Sequence, residues 1–236
     1  MPWSRSTTVL LTALALQAAA QQAPPPQPAP PAPGARFVVV IDAAHGGDDT
    51  GAHLSSGQLE KAANLALSVR LRSLLTARGF QVVTTRENDT FIELNHRAEL
   101  ANHANAAACI SLHATDSGSG VHLFASSLSP ASTTRFMPWK TAQAASETRS
   151  LALAGAVNSA LTHAGLTVTL GRIPLPGIES MTCPAVAIEL GPQRDAEKKV
   201  TAQPDNPDYQ TQVASALAAA ILEWRSDPNR TGGRQP

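Results

Sequence analysis

Residues 37–51 read FVVVIDAAHGGDDTG, and this stretch decides the fold class. The apolar run from Phe37 to Ile41, rich in β-branched side chains, describes a strand buried on both faces, as in parallel sheets covered by helices. It runs straight into Asp42 and then Ala43-Ala44-His45-Gly46-Gly47, a loop of small residues around one imidazole. In open α/β sheets, ligands bind beyond the carboxyl ends of strands, which is where His45 falls. The neighbouring glycines carry no Cβ, so backbone and ligand can approach closely. His45 is therefore a candidate metal or catalytic residue; the alternative is a loop histidine that caps a neighbouring group.

Further along, Leu59 to Arg78 has the spacing of a helix, with Gly79 placed to stop it. Its apolar stripe runs through Ala63, Leu67, Leu71 and Leu74, and Glu60 falls on that same stripe. A carboxylate on the sheet-facing side must be paired, because an uncompensated buried charge costs several kcal/mol. The other reading is a solvent-facing acid that favours the positive end of the helix dipole. Phe80 to Thr85 follows as a strand, then a helix over about residues 92–105 with Leu94, Ala98 and Ala101 inward. Arg97, His96 and His103 are assigned to its solvated side.

AAACISLH, residues 106–113, is a third buried strand. Its alternation sets Cys109, Ser111 and His113 on one face. His113 thus closes a central strand at the same edge as His45, either as a functional group or as a satisfied core histidine. A short strand over 120–126 and a Ser/Thr-rich segment over 127–148 come next. In that segment, Phe136-Met137-Pro138-Trp139 either lines a groove or covers the domain's edge, and the second reading is preferred. A helix over 150–164 ends at Gly165. AVAIEL, residues 185–190, is another buried strand, interrupted by Glu189 near its carboxyl end. The last helix, 209–224, presents Val213, Leu217, Ala220, Ile221 and Trp224 on one side.

The two ends of the chain read differently. Arg5, the apolar run Val9–Leu16 and Ala18-Ala19-Ala20 form the pattern of an export signal over residues 1–20. That run is too short for a bilayer span of roughly 20 residues, so stable membrane insertion is not expected and the periplasm, or secretion, is. Residues 21–35, QQAPPPQPAPPAPGA, form a Pro-rich linker; residues 36–226 form one domain of ordinary size; and residues 227–236 are a disordered tail. Eighteen basic residues balance eighteen acidic ones, so charge points to neither nucleic acid nor an anionic membrane. Cys109 and Cys183 could form one disulfide, but strand order decides whether they meet.

Strands alternating with helices imply right-handed crossovers. The expected fold is α/β, a single domain with a twisted, mostly parallel sheet and helices on both faces. That fold brings His45, His113 and Glu189 to one edge, together with the first turn of the helix that bears Glu60. Two imidazoles and a carboxylate suit a catalytic zinc with an open fourth position. A second carboxylate, Glu189, is then available for proton transfer.

VVVIDAAHGGDDTGA, LEKAANLALSVRLRSLL, VVTTREND, SLHAT and AVAIELG, in that order, resemble the type 3 family of zinc-dependent N-acetylmuramoyl-L-alanine amidases. The resemblance extends from Phe37 to Trp224 and includes PQRDAEKKVTAQPDNPDYQ before the last helix. It implies zinc ligands at His45, Glu60 and His113, and a catalytic acid and base at Glu189. It further implies a hydrolase acting on the bond between N-acetylmuramic acid and L-alanine. Peptidoglycan is then the partner, with a protein activator as a candidate second one. Asp42 would either orient a ligand imidazole or cap the strand end. One departure lies beside the site: Ala44 stands where the family has glycine, which requires a negative φ there. The stretch between His113 and Glu189 is also too short for the long regulatory helix of some division-linked members. Two rival readings are a zinc peptidase acting on stem peptides and a non-catalytic wall-binding or activator module.

Overall fold

A computed structural model of the chain describes residues 37–131 and 138–226. The expected signal segment, Pro-rich linker and C-terminal tail lie outside the described residues, as do Phe136 and Met137. The apolar run after Phe37 forms β1 (Val38–Ala43). It is parallel both to β2 (Gln81–Thr84) on one side and to β3 (Ala108–Ala114) on the other. Beyond β3 lie β6 (Ala185–Leu190), β4 (Val121–Ser126) and β5 (Val168–Ile173). The order across the sheet is β2-β1-β3-β6-β4-β5. Every neighbouring pair is parallel except β4 and β6, which are antiparallel. The mostly parallel sheet expected from the sequence is present, with one reversal of direction.

Helices cover both faces. α1 (Glu60–Ala77), α3 (Glu147–His163) and α5 (Pro207–Ser226) pack against one face. α2 (Leu94–His103) and the short α4 (Pro176–Glu179) cover the other. Chain connections leave β1 in opposite directions, to β2 over one face and back to β3 over the other. The crevice between the carboxyl ends of β1 and β3 is therefore a topological switch point.

Local chemistry explains where α1 stops. Gly79 adopts φ +80°, its N–H reaches Thr76 O, and the Phe80 N–H reaches Leu75 O. This is the Schellman arrangement, in which a glycine takes the left-handed position and satisfies two terminal carbonyls. The larger cluster contains Leu67, Leu71, Leu75, Val213, Leu217 and Trp224, all essentially inaccessible to solvent.

Two features differ from expectation, and one question the sequence left open is answered. Arg97 is buried, at 2% exposure, while Leu94 is more than half exposed. The arginine points beneath the β1 loop, where a carboxylate and three carbonyls satisfy it; no apolar position could do so. β5 was not anticipated, because an edge strand reading VTLGRI is largely exposed and has no apolar pattern to betray it. Cys109 and Cys183 form a disulfide, joining β3 to the segment that leads into β6, its sheet neighbour.

Candidate active site

Three residues from three separate elements converge at the switch point. His45 comes from the loop after β1, Glu60 opens α1, and His113 lies near the end of β3. Glu60 Oε1 is 3.1 Å from His45 Nε2 and 3.1 Å from His113 Nδ1. The three donor atoms lie within 4.8 Å of one another, and the two rings meet edge to face.

Glu60 is buried at 6% exposure, as the apolar stripe of its helix required. Its Oε2 accepts the Ala52 N–H at 2.8 Å, and Oε1 accepts the Ala114 N–H at 3.2 Å. Burial raises the carboxyl's pKa, but the neighbouring His113 and His45 imidazoles outweigh that and hold it well below the usual range. Glu60 correspondingly holds the His45 imidazole above its ordinary value, against the opposing effect of burial. Gly51 lines this corner at φ +63°; a Cβ there would sit 2.6 Å from Glu60 Oε2 and 2.7 Å from His45 Cδ2.

The outer nitrogen of each ring is engaged by an acceptor. His45 Nδ1 donates to Asp49 Oδ1 at 2.8 Å, and an ionised carboxylate can only accept. On the other ring, Ser111 Oγ donates its single proton to Asp42 Oδ2 at 2.8 Å. Towards His113 Nε2, at 3.4 Å, that hydroxyl therefore accepts. Both tautomers follow from these partners: His45 turns a lone pair at Nε2, and His113 one at Nδ1, towards the Glu60 oxygen. With Glu60 Oε1 3.1 Å from each ring nitrogen, three lone-pair donors converge on one point, an arrangement suited to a cation. Two imidazoles and a carboxylate, each oriented from behind, match the donor set and the support of a zinc site.

The loop that carries His45 is held by two buried arginines. Arg97 donates to Asp42 Oδ1 at 2.7 Å and to the carbonyls of Ala43 and His45, both at 2.8 Å. Arg86 donates to Ala43 O at 2.8 Å and Ala44 O at 3.0 Å. His45 itself has φ +62°, a conformation that costs a non-glycine residue roughly 1–2 kcal/mol and that these bonds hold in place. Among the described residues, positive φ outside glycine is confined to His45, Asn105 and Lys198. Ala44 therefore meets the requirement that its methyl set.

Glu189 stands beside this group. It pairs in register with His113 across β3 and β6, so the two side chains share a face of the sheet. Its Oε2 is 2.9 Å from His122 Nδ1. A cleft of about 450 Å³ opens next to His45 and His113, with an apolar wall that includes Phe91, Ile92, Leu94, Leu175 and Ile178. Of the two readings offered for Trp139, the structure supports the groove: it lines a separate cavity of about 610 Å³ between α2 and the segment before α3.

All four residues singled out from the sequence are thus brought to one edge. Of the supporting residues, Asp42 was read as either an imidazole's orienter or a strand cap; it touches no imidazole and reaches His113 only through Ser111. Asp49, Arg86 and Arg97 were not recognised. Asp49 had one signal, a carboxylate four residues beyond a loop histidine with a glycine two residues to either side.

Comparison with known proteins points the same way. A family profile described as N-acetylmuramoyl-L-alanine amidase matches residues 39–223. N-acetylmuramoyl-L-alanine amidase AmiA of Escherichia coli is 43% identical over 81 residues, which are 34% of this chain and 28% of that protein. The chain thus matches less than a third of that relative's length. The solved catalytic domain of CwlV, an N-acetylmuramoyl-L-alanine amidase from Bacillus (Paenibacillus) polymyxa, is 32% identical with a TM-score of 0.62. The match covers 80% of this chain and 98% of that domain. The CwlD amidase of Clostridioides difficile, solved in complex with the GerS lipoprotein, is 22% identical with a TM-score of 0.60. That match covers 81% of this chain and 99% of the CwlD chain, and at such identity the likeness concerns the fold alone.

Proposed function

The chain belongs to the N-acetylmuramoyl-L-alanine amidase family, and we propose that it is a zinc-dependent hydrolase of peptidoglycan. The bond cleaved is the amide between the lactyl group of N-acetylmuramic acid and L-alanine. The observation that supports this most directly is the Glu60 oxygen set 3.1 Å from both His45 Nε2 and His113 Nδ1.

His45, Glu60 and His113 would hold the metal, leaving a fourth position open. When bound, zinc supplies Lewis acidity, lowering the pKa of water towards about 7 and polarising a carbonyl oxygen. The chain's own contribution is orientation and proton transfer. Asp49 and Ser111 fix the two imidazole tautomers, and Arg97 and Arg86 hold the loop beneath them. Glu189 takes a proton from the attacking water as its oxygen bonds to the carbonyl carbon. It returns that proton to the amide nitrogen as the carbon–nitrogen bond breaks. The products are a lactyl carboxylate on the sugar and a stem peptide with a free amino terminus. The apolar wall of the cleft suits the lactyl and alanyl methyl groups.

The setting proposed is the periplasm or the cell exterior, reached by the signal pattern of Arg5, Val9–Leu16 and Ala18–Ala20. Among the described residues no helix is long and apolar enough to cross a membrane. A protein activator belongs to the same proposal, prompted by the CwlD relative solved with the GerS lipoprotein.

The deciding test is digestion of purified peptidoglycan followed by mass analysis of the released fragments. An amidase frees intact stem peptides and leaves sugar strands bearing lactyl carboxylates. Shortened stem peptides would identify a zinc peptidase instead, and binding without release would identify a wall-binding module.

A further inference from the structure

His122 is the second residue of β4, the strand that runs against the direction of its neighbour β6. Because of that reversal, the beginning of β4 lies at the carboxyl edge of β3 and β6. His122 pairs with Glu189, and Glu189 with His113. The three side chains therefore stand in one row across β4, β6 and β3, on the same face.

Contacts around the ring show that its position is built. His122 Nδ1 is 2.9 Å from Glu189 Oε2, and the His122 side chain is only 13% exposed. The carboxylate accepts, so Nδ1 carries the proton. On its far side the ring lies against Gly118, at φ +72°, where a Cβ would fall 2.4 Å from both Cε1 and Nε2. Gly191, which follows β6, would bring a Cβ within 3.4 Å of the same Cε1. Phe124, two residues along β4, meets the ring edge-on with centroids 6.4 Å apart. The imidazole is thus wedged between two glycines and a phenyl ring, with its N–H aimed at one carboxylate oxygen. Among the described residues Oε1 of Glu189 has no hydrogen-bond partner, which leaves it as the oxygen able to take a proton.

We infer that His122 is a positioning residue for the hydrolysis, fixing Glu189 by a hydrogen bond to Oε2 so that Oε1 faces the reacting water. The inference rests on the amidase reading and on Glu189 as its acid and base. A partly buried glutamate near the end of a strand would otherwise sample several rotamers, and each misplacement of a proton-transfer group lowers the rate. Groups that orient others from behind typically contribute about 10- to 100-fold.

The test compares the wild type with His122→Phe, His122→Asn, Glu189→Gln and the Glu189→Gln/His122→Phe double variant. Phenylalanine keeps the ring without its donor, and the asparagine amide returns a donor close to Nδ1. His122→Phe should lower kcat about 10- to 100-fold, with KM, metal content and melting temperature close to wild type. His122→Asn should recover most of that loss. In the Glu189→Gln background, His122→Phe should cost nothing further, because a residue acting through Glu189 has nothing left to act on. Unchanged kcat in His122→Phe, or a loss that multiplies in the double variant, overturns the inference while leaving the amidase reading intact. Loss of metal or of folding in His122→Phe, with no recovery in His122→Asn, makes the residue structural and overturns it equally. A wild type that releases no stem peptide overturns the amidase reading itself.

Discussion

Arg97 and Asp42 meet at 2.7 Å beneath the loop that carries His45, each less than a tenth exposed. Thr85 and Ser111 supply the remaining hydrogen bonds to the carboxylate, at 2.8 Å each. The ion pair therefore has its polar neighbours in place, the condition under which burying two charges is tolerated. It also ties α2 to the end of β1, so the floor of the site and the sheet behave as one piece.

Removing one partner of this pair should be costly. Arg97→Leu leaves the Asp42 charge buried and strips donors from three carbonyls. A loss of about 3–5 kcal/mol of stability is expected, measured by urea denaturation. A change below about 0.5 kcal/mol, typical of surface positions, would return Arg97 to the solvated side of its helix.

Metal binding should depend on both histidines. Purified protein should hold one zinc per chain, and chelation should abolish hydrolysis until zinc is restored. His45→Ala and His113→Ala should each lose tight binding and activity together. Stoichiometric zinc retained by His113→Ala in one tight site would refute the ligand assignment.

Glu60→Gln separates a buried ligand from an acid that merely favours a helix start. The amide keeps one of the two oxygens that accept the Ala52 and Ala114 N–H groups and leaves no buried charge, so the helical circular dichroism signal should persist. Metal affinity should fall, since one oxygen is replaced by a group that cannot coordinate. An unchanged zinc dissociation constant would mean that Glu60 is not a ligand.

For Glu189→Gln the expected pattern is the reverse: metal retained, hydrolysis lost. General acid–base catalysis contributes about 10²- to 10⁴-fold, and here both proton transfers pass through one carboxylate. Turnover should drop by at least that range at normal zinc content. Metal loss would make Glu189 a fourth ligand, and full activity would assign the proton transfer elsewhere.

The disulfide offers a measurement independent of the site. Cys109 and Cys183 are 74 residues apart in sequence, and cross-links over loops of this length stabilise by about 2–5 kcal/mol. Replacing both with serine should lower the denaturation midpoint accordingly, with little effect on metal affinity. Equal midpoints for the two proteins would show that the cross-link adds nothing.

The sequence by itself indicated every strand of the central sheet except β5, the longer helices, and His45, Glu60, His113 and Glu189 as candidates. Glu60 and Glu189 are anomalies in a local pattern, carboxylates where a helix stripe or a buried strand expects an apolar side chain, while His45 and His113 stand out as imidazoles where strands end. Such anomalies are legible because the energy of burying a charge is set by which face a residue occupies, and periodicity reveals the face. Ser111 was likewise placed on the correct face, but its partner was not visible. What the tertiary structure decided are the pairings between distant segments. Asp42 meets Ser111 across 69 residues, Arg97 meets Asp42 across 55, and Glu189 meets His122 across 67. The disulfide belongs with them. Arg97 read as solvated because an amphipathic pattern treats any arginine as polar surface, whereas a guanidinium surrounded by acceptors is stable inside. His122 drew no reading from the sequence because it lies at the start of its strand, and only the reversal of β4 carries that start to the edge where the other strands end. Periodicity assigns a side chain to a face, but strand order, direction and register select the atom it meets, and these are set by the packing of the whole sheet.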